Sequence, residues 1–117
     1  MAKSLKLFGL KTCDTCRKAL KELESSGKAV AFSDVSVDAP SNAQLTKWAK
    51  TAGWDTLLNT RSTTWRGLSA AEKTDISEKE AILLMAQYPK LIKRPVIESN
   101  GKVYVSWSGA VREALLD

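Results

Sequence analysis

Short apolar runs and amphipathic stripes alternate along this chain, and the alternation predicts its elements. Leu5 to Leu10 places Leu5, Leu7 and Phe8 in a short apolar run ending near Gly9, the pattern of a buried strand. From Cys13 onward, Cys16, Leu20 and Leu23 recur at three and four residues, which is helical spacing, and Gly27 is the natural stop. Val30 to Val37 alternates in part and completes a strand-helix-strand unit, so the two strands should be parallel with a right-handed crossover.

Pro40 and Ser41 open a second stripe, Leu45, Trp48, Ala49 and Ala52, which Gly53 ends. The stretch Asn59 to Gly67 (NTRSTTWRG) is polar, has no period and reads as a loop. Ser69 can cap a short helix. Ser77 with Glu80 has the spacing of a capping box before Ala81, Leu84, Met85 and Tyr88, and Pro89 stops that helix. Pro95, Val96 and Ile97 then lead through Asn100-Gly101 to Val103, Tyr104 and Val105. That is a β-hairpin signal, because a type I′ turn needs positive φ at both central residues. Ser108 caps a closing helix with Val111, Ala114 and Leu115 expected inward. The order βαβ, helices, ββα predicts an α/β thioredoxin-like fold: a mixed four-stranded sheet flanked by helices, with a helical insertion between the two halves. The expected organisation is one domain, 1–117, with its core in 1–38 and 91–117 and the insertion in 39–90.

Composition narrows the functional classes. At 117 residues the chain can bury one ordinary core, and 44% hydrophobic with 26% charged residues is a globular balance. Its longest apolar run, Ala81 to Ala86, is far short of the roughly twenty residues a spanning helix needs. The amino terminus interleaves lysines with apolar residues and has no signal-peptide pattern, so a cytoplasmic location is expected. A net charge of +5 favours anionic ligands or acidic partners. The basic residues are dispersed, however, and no run of them is interleaved with stacking aromatics, so direct nucleic-acid binding is not expected.

The chemistry concentrates in the only two cysteines, Cys13 and Cys16, where the first strand hands over to the first helix. A helix N-terminus presents free N–H groups and a positive dipole end, which favours thiolate over thiol. Cys16, one turn on, belongs to the core-facing stripe, so attack on an external partner falls to Cys13. A thiol of pKa near 8.5 is only about 3% thiolate at pH 7, and at roughly 6.5 it would be about 75%, a shift of about 2.7 kcal/mol. A helix terminus supplies up to about 1 kcal/mol, or about 2 when partly buried, so cationic help is expected from Lys11, Arg17, Arg61 or Arg94. An inward Asp14 would oppose it. With no histidine and no further cysteine, a tetrahedral zinc site would have to draw on two carboxylates, so zinc is not expected. A disulfide across so short a loop adds little chain entropy, and inert core cysteines stay open as the plain alternative. Without histidine, a cysteine-protease or Ser-His mechanism has no base.

Pro95, just before a strand, stands where thioredoxin-like folds place a cis-proline facing the cysteine motif. Arg94 beside it would reach the same side, where a guanidinium binds an oxyanion or carboxylate in bidentate fashion. Arg61 and Arg66 in the polar stretch are either solvated or ligand-binding. Trp48, Trp54, Trp65 and Trp107 read as packing residues.

Three segments, LKTCDTCRKAL, LLNTRSTTWRGL and LIKRPVI, resemble the arsenate reductase-like family in order and spacing over nearly the whole chain, particularly its Spx and YffB-like branch. The resemblance implies that Cys13 is the catalytic cysteine and that Arg61 and Arg94 match two anion-binding arginines. A third arginine of the arsenate reductases falls near Trp107, where this chain has none. YffB-like proteins imply a glutathione-dependent thiol reductase, and Arg66 matches their pattern. Cys13 would then attack a disulfide or oxyanion, with Cys16 or glutathione resolving the adduct and Arg61 and Arg94 holding the substrate. Lys11, Thr12, Arg17, Arg66 and Pro95 would line the substrate. No metal and no tightly bound cofactor is expected; glutathione is the co-substrate, with glutaredoxin a possible partner. Two alternatives stand beside this: an Spx-like redox regulator that binds RNA polymerase, and an arsenate reductase proper.

Overall fold

The computed structural model describes residues 4–74 and 76–116. In chain order it begins with β1 (Ser4–Gly9), α1 (Asp14–Ser25) and β2 (Ala29–Asp34). Five helices follow: α2 (Asn42–Ala52), α3 (Trp54–Leu57), α4 (Thr63–Arg66), α5 (Ala70–Lys73) and α6 (Glu78–Gln87). A 3-10 turn over Pro89–Leu91 leads to β3 (Val96–Ser99), β4 (Lys102–Val105) and α7 (Gly109–Leu116). The chain divides into two compact units, Met1–Asp38 with Arg94–Asp117, and Ala39–Lys93. Among the described residues no helix is long and apolar enough to cross a membrane.

The first unit holds one sheet in the order β2-β1-β3-β4. β1 runs parallel to β2 and antiparallel to β3, and β3 pairs antiparallel with β4. Alternation along β1 puts Leu5 and Leu7 on one face, where they and Ile97 of β3 are fully buried. Against that face pack Ala19 and Leu23 of α1 and Leu115 of α7, forming the core of the unit. Each buried leucine contributes about 1.5–3 kcal/mol, and together they fix the register that places the ends of β1 and β3 side by side. α1 ends in backbone bonds from Gly27 to Glu24 (3.0 Å) and from Lys28 to Leu23 (3.2 Å), with Gly27 at φ +87°. Trp107 Nε1 donates to Glu22 Oε2 (2.6 Å) and Arg112 donates to both Glu22 oxygens, tying α1 to α7 and to the segment leading into it.

In the second unit Leu45, Trp48 and Ala49 of α2 are buried, and α2 packs against α3 and α6, which bury Leu57, Ala81, Ile82 and Met85. Leu58 and Ile92 form an antiparallel bridge, closed by Asn59 N donating to Leu91 O (2.7 Å) and Lys93 N to Leu57 O (2.8 Å).

Several expectations are corrected. The NTRSTTWRG stretch is not all loop. Ser62 accepts from the Trp65 amide at 3.1 Å and caps the single turn α4, too short to show a period. α3 is likewise a single turn, opening where α2 ends, with Gly53 capping both. The second strand stops at Asp34, and Val35 to Val37 turn away because the Asp34 carboxylate captures Ser36 locally. Ser77 is the N-cap of α6 without a side-chain bond; the capping box forms instead at Ser69 and Glu72. Ala114 is exposed, since the buried stripe of α7 runs through Val111 and Leu115, and a neighbour on a helix lies about 100° further round.

The hairpin turn forms as the Asn-Gly signal requires, with Asn100 at φ 51° and Gly101 at φ 79°. A side chain at Gly101 would meet nothing within 4 Å, so its cost is purely one of backbone conformation. Gly109 is equally open but has ordinary helical φ. Gly101→Ala is therefore expected to lower stability by about 1 kcal/mol and Gly109→Ala to raise it by about 0.5 kcal/mol, read from urea denaturation. Equal effects at the two positions would contradict this account of the turn.

Candidate active site at the start of the first helix

Gly9 ends β1 opposite Asp34, and its carbonyl accepts from the Val35 amide at 2.9 Å. The chain then bends through Leu10 to Thr12, with Cys13 N donating to Leu10 O (3.1 Å). Asp34 holds this bend from the neighbouring strand: one carboxylate oxygen accepts from the Lys11 amide (3.0 Å), and the other from the Ser36 amide (2.8 Å) and hydroxyl (2.5 Å). The Ser36 hydroxyl, then the Lys11 and Ser36 amides, hold the Asp34 carboxyl down at about 2. Sequence reading missed Asp34. Its signal was the Asp-x-Ser spacing of an Asx-type turn directly after a strand.

Cys13 is the N-cap of α1, with φ −84° and ψ 117°, and its carbonyl accepts the first helical bond from Arg17 N (3.0 Å). Serine or aspartate usually sits here, with a side-chain oxygen facing the free amides. Here a thiol stands at that position, without a side-chain cap bond. Burial opposes ionisation of the half-buried Cys13 and is the largest single influence. It is outweighed by hydrogen bonds from the Cys16 amide, the Cys16 thiol and the Thr15 amide, together with the charge of Arg94, so the thiol is held below its ordinary value. Cys16 is the converse. It is fully buried, and burial, reinforced by the adjacent Cys13, pushes its thiol up to about 12. The two cysteines thus differ in burial, Cys13 half-buried and Cys16 buried, and both are free thiols.

Arg94 reaches this end of the sheet through the strand register. Phe8 pairs with Val96, so Pro95 and Arg94 continue past the point where β1 ends at Gly9. The Arg94–Pro95 bond is cis, Pro95 is buried, and its carbonyl accepts from Ser106 N (2.8 Å). Lys11 and Thr12 are exposed on the bend. Arg17, expected as a substrate contact, pairs with Asp14 at 2.7 Å, and Asp14 lies almost wholly in solvent rather than turning inward. Such an exposed pair is worth little, so Arg17 stays exchangeable between Asp14 and another anion. Arg61 and Arg66 belong to the second unit. Both are exposed, Arg61 with its amide on Asn59 Oδ1 (3.1 Å) and Arg66 closing α4.

A family model described as the ArsC family matches residues 8–114, which takes in every element from the end of β1 to the last turn of α7. The chain belongs to the ArsC family. This ArsC-family protein is 38% identical over 102 residues to an uncharacterised protein of Haemophilus influenzae, covering 87% of this chain and 90% of that one. A solved YffB protein matches with a TM-score of 0.91 at 37% identity, covering 97% of this chain and 99% of the other. An arsenate reductase (ArsC) related protein from Brucella melitensis matches with a TM-score of 0.77 at 34% identity, covering 97% and 95%. The ArsC-family chain accordingly has the thioredoxin-like α/β fold that its pattern predicted.

Two outcomes follow for the site of this ArsC-family protein. In the folded chain at neutral pH, iodoacetamide should label Cys13 and leave Cys16 untouched, giving one adduct by peptide mass spectrometry; labelling at Cys16 would contradict the assignment. Asp34 binds its proton less readily folded than unfolded, where its pKa is about 3.9. Its contribution to stability is full above about pH 4 and is lost as pH falls toward about 2. Asp34→Asn should flatten the decline of Tm across that window, and an unchanged profile would show that the carboxylate does not hold the bend.

Proposed function

We propose that this protein is a glutathione-dependent thiol reductase of the reducing cytoplasm, with Cys13 as its nucleophile. The observation that carries the reading is the split between the two thiols: Cys13, half-buried at a helix terminus, is held below its ordinary value, and Cys16 is fully buried and resists ionisation. The Cys13 thiolate attacks one sulfur of a mixed disulfide R–S–S–G. Attack falls on the glutathionyl sulfur: the Cys13–S–S–G bond forms, the S–S bond between RS and the glutathionyl sulfur breaks, and RS⁻ leaves with the electron pair and takes up a proton. A second glutathione, as thiolate, attacks the adduct, forms oxidised glutathione and returns the Cys13 thiolate. One glutathione is oxidised for each mixed disulfide reduced: R–S–S–G and GSH become RSH and oxidised glutathione. No tightly bound cofactor enters the cycle, and glutaredoxin is a candidate partner in the second step.

Resolution by external glutathione rather than by Cys16 is favoured because Cys16 is fully buried and its thiol is pushed up to about 12. Arg94 is assigned to the carboxylates of the glutathionyl group, since it lies at the Cys13 end of the sheet and a guanidinium binds carboxylate through two parallel bonds. Lys11, Thr12 and Pro95 are its proposed neighbours in substrate binding, with Arg17 a further contact once it leaves Asp14. Arg61 and Arg66 carry anion-binding roles over from the family resemblance. A disulfide substrate is favoured over arsenate because Trp107 stands where the third arginine would be, and its indole N–H is engaged by Glu22.

In an NADPH-coupled assay with glutathione and glutathione reductase, Cys13→Ser should abolish turnover, while Cys16→Ser should keep most of it. Arg94→Ala should lower kcat/KM for glutathionyl substrates about tenfold to a hundredfold, the loss of one charge-assisted pair. Full turnover by Cys13→Ser would overturn the reading. Negligible turnover together with oxidant-dependent capture of RNA polymerase would replace it with the regulator.

A further inference from the structure

Gly9 is the last residue of the extended strand β1, and its φ is not in the left-handed region, unlike Gly27, Gly53 and Gly101. Its backbone would accept any residue, so conformational freedom does not explain a glycine there. Space does. A Cβ built on Gly9 falls 2.5 Å from Cys16 Sγ and 3.1 Å from Cys16 Cβ, against an ordinary 3.6 Å from Leu7 Cδ2. The first distance is far inside van der Waals contact, and the sulfur has no open space to yield into because Cys16 is fully buried.

The same sulfur stands three residues after the N-cap. Side chains at the N-cap and at the third helical position meet at a helix start, as they do in a capping box. A buried thiol has no water to donate to, and the sulfur-bearing side chain one turn before it, at the N-cap, is Cys13.

We propose that Gly9 is a positioning residue for the thiol chemistry: the space left by its missing side chain seats the Cys16 sulfur, and that seat aims the Cys16 S–H at the Cys13 sulfur as a hydrogen-bond donor. Cys16 then serves as a fixed donor to the attacking thiolate. The inference rests on the reading of Cys13 as the nucleophile.

The test is a double-mutant cycle on the pH dependence of Cys13 alkylation by iodoacetamide, followed by mass spectrometry, in chains whose fold is checked by circular dichroism. Gly9→Ala is expected to raise the midpoint by about one unit, which is about tenfold less thiolate at any pH below it. Cys16→Ala should raise it similarly, and Gly9→Ala added to Cys16→Ala should then do nothing more, since the sulfur it displaces is gone. A folded Gly9→Ala chain with an unchanged midpoint, or one whose shift persists undiminished in the Cys16→Ala background, would overturn the proposal. If Gly9→Ala alone does not fold, its rescue by Cys16→Ala supports the seat, and failure to fold in both backgrounds overturns it. In the unaltered chain, the S–H stretch of Cys16 should fall in frequency as Cys13 ionises; a frequency indifferent to that ionisation would overturn the aim. Midpoints are read without any substrate, so a chain that shows the expected cycle but turns over no glutathionyl disulfide sinks the reductase reading and leaves this inference standing.

Discussion

The start of α1 sets a half-buried sulfur beside free helical amide groups and the charge of Arg94, and the eased ionisation of Cys13 depends on that placement. A helix cannot satisfy its first N–H groups internally, and most helices answer with a serine, threonine or aspartate oxygen. At Cys13 the side chain is a thiol, which becomes a strong acceptor only when it ionises. Partial burial works against the charge, and it is outweighed by the polar groups of Cys16 and Thr15 together with the field of Arg94.

Delivering that geometry is the task of the sheet. Leu5, Leu7, Ile97, Ala19, Leu23 and Leu115 form a core that holds α1 against β1. The β1–β3 register then brings the residues before Val96 alongside the end of β1. Asp34 fixes the bend between β1 and α1 from the adjacent strand, so the N-cap residue is constrained on both sides. The two cysteines share one turn of helix yet differ widely in ionisation. That difference comes from burial: Cys16 faces the core and Cys13 its edge.

Much of this was legible in the sequence because it is carried by period and by turn chemistry. Leu5 and Leu7 announced the first strand, and the stripe through Cys16 and Leu23 the first helix. Asn100-Gly101 announced the hairpin, and the position of Cys13 at a strand-to-helix junction marked it as the ionisable thiol. The single turns α3 and α4 were not legible, since four residues do not complete a hydrophobic period and only a cap such as Ser62 betrays them. The Ser77–Glu80 pair shows the reverse: a capping-box spacing is present without the bond. At the site, Asp34 and Gly9 escaped because they act on backbone and on empty space, and neither carries chemistry of its own. Trp107 was read as packing, and its half-buried ring also donates to Glu22, a long-range partner that no local pattern could reveal.

The central claim is that two thiols one helical turn apart ionise far from each other. Thiolate ultraviolet absorbance, followed across a pH titration of the reduced folded chain and repeated on Cys13→Ser, measures it most directly. The structure predicts one step below the ordinary range of a cysteine, absent from Cys13→Ser, and a second that is reached only near 12. Two overlapping steps in the ordinary range, or a low step that survives in Cys13→Ser, would contradict it.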